Sequence, residues 1–519
     1  MPVTADKRRI LWVDDEIDSL KPHILFLENK GFEVVAVMSG DDGIEAVKND
    51  FFDLVLLDEK MPGRDGLSTL EAIKDLRPHL PVVMVTKSEE ESLMDDAIGQ
   101  KIDDYLVKPV IPSQILLVIK RLLESKKIIS SSSMRRYITE INRFNQQLYG
   151  DLTPQTWLEA ARIIADWNLE LDQGDDPGLQ ETHEGTRKEW NLQFTKYLEP
   201  AYAKWLTAKQ RPTLSPDVVG KYLVPELKQN KKVVFIVVDC MRLDQWMLVE
   251  PLVAELFSID RHLYYSILPS ATPFARNALF SGLFPDDIDK AYPDNYKVQD
   301  EGSLNRYEDQ MLVDQLLRHE VKLDRLPRYV KIYNNTEGEE VARKVGDYYE
   351  SPLTTFVFNF LDIMAHGRSN NVILKEIAGS EAAFRSLMRS WFVHSPLFAL
   401  LKAFAARGHT VIVTSDHGSV LCQRGTMAHG RRSTSTNLRY KYGDNLNSNP
   451  KESILIKKPE QWRLPMLTMS TTYIIAKEDF YFVYPNNYNE MVRQFQNSFQ
   501  HGGISLEEMV VPVAVLTPR

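Results

Sequence analysis

The run VVFIVVD, Val233–Asp239, places six apolar residues in a row, nearly all β-branched, and ends them on a carboxylate. An unbroken run of this length suits a strand buried on both faces, as in a parallel sheet covered by helices. TVIVTSDHG (Thr410–Gly418) repeats the form, with Thr410–Thr414 as the strand and Asp416 and His417 just beyond it. FVFNFLDIMAH (Phe356–His366) is a third instance, read as a strand over Thr355–Leu361. Asp362 and His366 follow it four residues apart, and share a face if a helical turn begins there. The stretch from 216 to 519, about 300 residues, is enough for one large α/β domain.

The same alternation, on a smaller scale, fills residues 1–124. Strands are expected at Ile10–Val13, Glu33–Val37, Asp53–Leu57, Pro81–Val85 and Asp104–Val107. Helical stretches include Leu67–Lys74, Glu89–Ile98 and Gln114–Glu124. Such βα repeats imply an open parallel sheet with helices on both faces. Between the two α/β regions, residues 125–215 open on the Ser130–Ser133 tract and turn helical, as in Arg135–Leu148, Thr156–Leu171 and Arg187–Leu206. Trp157, Trp167, Trp190 and Trp205 recur there at helical spacing, which suits the core of a small bundle better than a ligand cage. Gln423–Asn449, rich in Arg, Ser and Asn, reads as a long loop or insertion.

The whole chain has 519 residues, 62 Lys and Arg against 72 Asp and Glu, and a net charge of −10. That balance argues against a nucleic-acid coat protein or a polybasic membrane binder. Two cysteines, Cys240 and Cys422, are too few for a disulfide scaffold. No apolar run approaches a membrane span and the N-terminus has no signal-peptide core, so a cytoplasmic chain without membrane insertion is expected.

Ligands of open parallel sheets bind at the carboxyl ends of the strands. In the first region those ends carry Asp14 and Asp15, Asp58, Thr86 and Lys108. Three carboxylates at about 4 Å would repel by a few kcal/mol per pair, a penalty that a bound Mg2+ removes. Asp58 then serves as nucleophile toward a phosphoryl group, with Thr86 and Lys108 on the same oxygens. The pieces LWVDDE, LLDEKMPGRDG, VVMVTK and DDYLVKP, in this order, resemble the receiver domain of two-component response regulators. The resemblance implies a flavodoxin-like sheet of order 2-1-3-4-5, phosphorylation of Asp58 by a sensor histidine kinase, and a switch through Thr86 and Tyr105. Pro109 suggests a cis peptide that aims Lys108. Lys87 stands where the family usually has a small residue.

In the third region Asp239, Asp362, His366, Asp416, His417 and His501 (in QHGGIS) supply three carboxylates and three imidazoles, and Thr272 (in LPSATPFARNALFSG) a hydroxyl. Singly, each Asp reads as a cap or turn residue and each His as a surface or core residue. Together they suit two borderline ions such as Zn2+, which would stabilise the attacking and leaving oxygens of phosphoryl transfer. The set resembles the alkaline phosphatase superfamily, in its PglZ-domain branch. By that resemblance Asp239, Thr272, Asp416 and His417 hold one metal, and Asp362, His366 and His501 the other. A threonine nucleophile resembles the phosphodiesterase members, which implies cleavage of nucleotide or oligonucleotide diesters. Arg276, one turn after Thr272, and Arg431 are candidate substrate contacts; for Arg424, Arg431 and Arg432 a solvated basic loop is the somewhat stronger reading. Cys240 would point away from Asp239 if the strand continues, and is read as packing.

A receiver, a helical connector and a PglZ-type domain in this order resemble response regulators associated with type IX secretion. That implies a homodimer on phosphorylation and a sigma factor or secretion component as partner. The competing reading is a phosphorylation-dependent adaptor whose zinc-bound domain binds such a partner without catalysis. DNA-binding regulation is weaker, because no recognition helix or basic domain is visible.

Overall fold

The computed structural model describes residues 8–86, 102–108, 110, 112–148, 150–174, 176–293, 305–370, 379–430, 437–484 and 488–519, with the side chain of His366 among those outside the description. The expected helix Glu89–Ile98, Lys87, Pro109, Arg431 and Arg432 also lie outside it. The chain divides into two compact units, residues 1–140 and 141–519.

The first unit holds strands β1 (Arg9–Val13), β2 (Glu33–Val37), β3 (Leu54–Asp58), β4 (Val82–Thr86) and β5 (Asp104–Val107), all parallel, in the order β2-β1-β3-β4-β5. This is the flavodoxin-like order. Successive residues of β1 face opposite cores: Ile10 and Trp12 pack with Leu27, Ile115 and Ile119, whereas Leu11 and Val13 pack with Val47, Leu70 and Ile73. Burial on both faces is why the strands lack polar alternation. Helices α1 (Lys21–Asn29), α2 (Gly40–Asn49) and α3 (Gly66–Leu76) supply much of the cover; Ser39 and Asp65 cap the last two with their side chains.

Helix α4 runs unbroken from Pro112 to Leu148. The serine tract therefore does not interrupt it, and the separate helices expected at Gln114–Glu124 and Arg135–Leu148 are one. No Gly or Pro lies between Ser113 and Leu148, and serine in a helix costs only about 0.5 kcal/mol relative to alanine.

The second unit begins with α5 (Pro154–Leu171) and α6 (Pro177–Trp205). Trp157, Trp167, Trp190 and Trp205 are all buried. Trp157 meets Phe194 at 5.4 Å between ring centroids, and Trp205 meets Tyr265 of the following domain at 5.0 Å. That domain is built on a six-stranded sheet: β6 (Val233–Val238), β7 (Phe257–Tyr265), β8 (Arg328–Ile332), β9 (Leu353–Phe358), β10 (Thr410–Thr414) and β11 (Val510–Pro518), in the order β7-β11-β10-β6-β9-β8. The four strands β10-β6-β9-β8 are parallel and β11 is antiparallel to both its neighbours. Helices α7 (Leu243–Ala254), α8 (Thr272–Ser281), α9 (Phe360–Asn370) and α10 (Glu381–His394) follow or flank these strands. Val234, Ile236 and Val238 share a core with Trp246, Phe384, Phe392 and Phe404; each such buried side chain contributes roughly 1.5–3 kcal/mol.

Two expectations need correction. Strand β9 stops at Phe358, not Leu361, because α9 starts at Phe360. Gln423–Asn449 is not a plain loop: Arg424–His429 pairs with Phe480–Val483, and Tyr440–Asp444 with Thr471–Ala476. Its polar composition hid the strands, since Thr426 and Lys441 are buried among apolar residues.

Candidate functional site

Parallel strands bring their carboxyl ends to one edge, and both sheets place carboxylates there. In the first unit Asp58 closes β3, Asp14 follows β1 and Thr86 closes β4. One oxygen each from Asp14, Asp15 and Asp58 lies within 4.8 Å of the others. Lys108 Nζ bridges the cluster, 2.9 Å from Asp14 Oδ2 and 3.0 Å from Asp58 Oδ2. Burial pushes the Asp58 carboxyl up; Lys108 opposes this, and the neighbouring Asp14 and Asp15 reinforce it. Thr86 donates its hydroxyl to Glu59, a residue that strand-end reasoning passed over, and Tyr105 is 55% exposed. Three hard oxygen donors in this spacing fit Mg2+.

In the second unit Asp239 follows β6 directly. The chain then turns at Cys240, whose φ of 65° is unusual for a residue with a side chain. The strand therefore does not continue past Asp239. The Cys240 thiol is buried, and its backbone N–H donates to Asp416 Oδ1 at 3.3 Å. Asp239, Asp416 and His417 each offer a donor atom within 4.8 Å of the others, and all three are buried. His417 Nδ1 is 3.0 Å from the Gly418 carbonyl, which places the proton on Nδ1 and leaves the Nε2 lone pair free for a ligand role. Nε2 faces Asp239 Oδ1 and Asp416 Oδ2, each at 3.7 Å. Burial lowers the His417 pKa to about 4 and pushes the Asp239 carboxyl well up. Burial opposes ionisation of Asp416 too, but His417 and Arg276 hold it below its ordinary value. A neutral imidazole beside two buried carboxylates is a donor set that fits a borderline divalent ion.

Thr272 is the first residue of α8, at the positive end of the helix dipole. Its Oγ1 lies 2.9 Å from His417 Nε2 and 3.3 Å from Asp239 Oδ1. His501 stacks on His417 with ring centroids 4.2 Å apart, and its Nε2 is 3.3 Å from Asp362 Oδ1. The two expected ligand sets thus adjoin. Asp362 and His366 both stand on α9.

Arg276 departs from expectation. Its guanidinium is buried under the carboxylates, with Nη2 at 2.5 Å from Asp239 Oδ2, Nε at 3.1 Å from Asp416 Oδ2 and Nη1 at 2.9 Å from Asn359 Oδ1. One helical turn beyond Thr272 carries it behind the ligands, so it balances their charge and does not present itself to a substrate. Arg424 is likewise engaged, with Glu478 at 2.7 Å and with Asp479. Two buried carboxylates were not foreseen. Glu308 backs Arg276 and pairs with Lys331 at 3.0 Å. Glu508 pairs with fully buried Arg439 at 2.6 Å and accepts from the Gly503 N–H at 2.8 Å, which holds the turn after His501. The only hint of the latter in sequence is the Gly pair, of which Gly502 has φ 114°.

The fold and both edges define a response regulator: a receiver joined to an alkaline phosphatase-like domain of the hydrolase superfamily. The chain belongs to the family of the BREX system PglZ alkaline phosphatase-like domain, which it matches over residues 219–516. It also matches the response regulator receiver domain over 10–120 and the PorX response regulator linker domain over 127–206. Together these make the composition of a PorX-type response regulator. Among curated relatives, the chain is similar to the sensor protein GacS of Pseudomonas syringae pv. syringae, 37% identical over 23% of this chain, and to the transcriptional regulatory protein ResD of Bacillus subtilis, 32% identical over 23%. DltR of Streptococcus agalactiae is 28% identical over 27% of this chain. The chain spans 14%, 49% and 62% of the lengths of these three. Among solved structures, receiver domains from Methanospirillum hungatei JF-1 and Clostridium thermocellum are 34% and 29% identical, covering 23% and 24% of this chain and 94% and 98% of theirs, each with a TM-score of 0.22. Among the described residues no helix is long and apolar enough to cross a membrane.

Proposed function

We propose that this response regulator, phosphorylated on Asp58 by a sensor histidine kinase, is a metal-dependent phosphodiesterase acting on nucleotide or oligonucleotide diesters. The observation that carries the reading is the Thr272 hydroxyl set within 3.3 Å of both Asp239 and His417, on an edge where those residues and Asp416 converge. Asp239, Thr272, Asp416 and His417 would hold one Zn2+, and Asp362, His366 and His501 a second; Asp14, Asp15 and Asp58 would hold Mg2+. The zinc ions would favour ionisation of the Thr272 hydroxyl and neutralise charge on the phosphoryl oxygens.

The chain's own residues account for the rest. Thr272 Oγ1 loses its proton to solvent water and attacks the phosphorus in line; the bond to the departing oxygen breaks, and that oxygen takes up a proton from water. Water then attacks the phosphorus of the threonine-linked ester, the Oγ1–P bond breaks to restore the hydroxyl, and a phosphomonoester is released. Thr272 opens α8, so the positive end of the helix dipole lies at the charge that develops there. Arg276, paired with both Asp239 and Asp416, opposes their protonation. By resemblance, phosphorylation of Asp58 favours a homodimer, and the partner is a sigma factor or a component of type IX secretion.

The test is metal content together with turnover of bis(4-nitrophenyl) phosphate by the parent and by Thr272→Ala. Bound zinc with Thr272-dependent turnover supports the reading. Bound zinc without such turnover on any diester would overturn hydrolysis in favour of an adaptor.

A further inference from the structure

Outside the ligand set, a dense group of buried charges lies where α6 meets the loops that carry Asp239 and His417. Arg187, on α6, donates to Glu381 at the start of α10, and its Nε is 3.6 Å from Glu507 Oε1. The other Glu381 oxygen accepts from Arg242 Nη1 at 2.6 Å, and Arg242 stands three residues after Asp239. Burial alone would push the Glu381 carboxyl up, yet Arg187, Arg242 and Arg385 hold it well below the ordinary range. One turn further along α6, Asn191 uses both ends of its amide on the turn at 506–507, while its nitrogen also donates to the Arg187 carbonyl at 3.1 Å. Its oxygen accepts from the Leu506 N–H at 2.8 Å, and its nitrogen donates to both Glu507 oxygens, at 3.1 and 3.3 Å.

That turn is also the seat of the His417 loop. The Gly418 N–H donates to the Glu508 carbonyl at 2.9 Å, and a Cβ at position 418 would sit 1.9 Å from the Glu507 carbonyl oxygen. One helix therefore reaches two ligand loops by two short routes: Arg187–Glu381–Arg242 to Asp239, and Asn191–Glu507–Gly418 to His417. Adhesion alone would not require this. Buried ion clusters add little net stability over apolar packing of the same volume, and aromatic contacts such as Trp205 on Tyr265 already hold the connector.

We propose that Arg187 and Asn191 are positioning residues for the metal centre, through which the connector sets the spacing of Asp239 and His417 and hence the affinity for metal. The inference rests on the metal site proposed above, and its readout is binding, independent of hydrolysis.

The full chain, stripped with a chelator, is titrated with Zn2+ in competition with a chromophoric chelator. The variants are Asn191→Ala, Arg187→Lys, and the double variant Arg187→Met with Glu381→Gln, which removes one charge of each sign and so keeps the test open if a single variant fails to fold. Substitutions in the layer behind metal ligands commonly cost about 10–100-fold in affinity. A loss of about that size is expected for Asn191→Ala and the double variant, with partial retention in Arg187→Lys, whose ammonium still reaches Glu381. Trp190→Phe, which loosens the connector core against Phe144 at 4.5 Å, is expected to keep the parent's affinity. Unchanged affinity in the folded Asn191→Ala and double variants would overturn the proposal. An equal loss in Trp190→Phe would overturn it too, since any loosening would then suffice. A parent chain that takes up no Zn2+ would instead refute the metal site itself.

Discussion

The two α/β domains meet one electrostatic problem, three acidic or ligating groups crowded at the end of a parallel sheet, and answer it differently. In the receiver the compensating cation is Lys108, partly exposed and shared between Asp14 and Asp58. In the PglZ domain it is Arg276, buried against Asp239 and Asp416 and backed in turn by Glu308. A lysine on a flexible stem can follow a phosphoryl group on and off Asp58, whereas a planar guanidinium tied to several partners fixes its ligands in one place. On the proposed function, the difference would separate a site suited to reversible modification from one suited to repeated turnover.

The largest effect should come from Thr272→Ala. Loss of the nucleophile is expected to lower kcat for a diester by at least about 10^3-fold, with metal content and phosphorylation of Asp58 by a small phosphodonor retained. Loss of phosphorylation as well would show that the two sites do not act separately.

Next come the two compensating cations themselves. Arg276→Met leaves Asp239 and Asp416 buried without their cation, and breaking such an arrangement costs about 3–5 kcal/mol. Lys108→Met should cost less, because solvent reaches that site. Denaturant unfolding of both variants in the presence of chelator checks the order. An equal or larger loss for Lys108→Met would erase the contrast drawn here.

The smallest effect concerns pH. Burial raises the Asp58 pKa in the folded state, so the native chain binds that proton more tightly than the unfolded chain does. The resulting penalty is absent below the unfolded value of about 3.9 and grows as pH rises through and above it. Asp58→Asn removes the penalty. Hydrogen exchange of β1 and β3 amides in chelator should show the variant more protected at neutral pH, with the gap closing toward pH of about 4. A gap that stays constant or widens on acidification would contradict the assignment.

Much of this was legible in sequence because parallel sheets advertise their ligand edge. A β-rich apolar run that ends on Asp239 or Asp58 gives the strand and its exit residue together. What stayed hidden depends on pairs far apart in the chain. Arg187 and Glu381 are 194 residues apart, and nothing local distinguishes either from a solvated surface charge. Arg276 was visible but misread: helical spacing placed it near Thr272 and could not tell whether it lay in front of the carboxylates or behind them. The strands within Gln423–Asn449 were missed because buried Lys441 and Thr426 carry no apolar signal. The join at α4 was missed because a serine tract looks like a linker when only composition is weighed.

The most direct test of the central claim is anomalous scattering at the zinc edge from crystals of the full chain. Two peaks are predicted, one enclosed by Asp239, Asp416, His417 and the Thr272 hydroxyl, the other beside Asp362 and His501. No peak at this edge, or zinc held only by other residues, would contradict it.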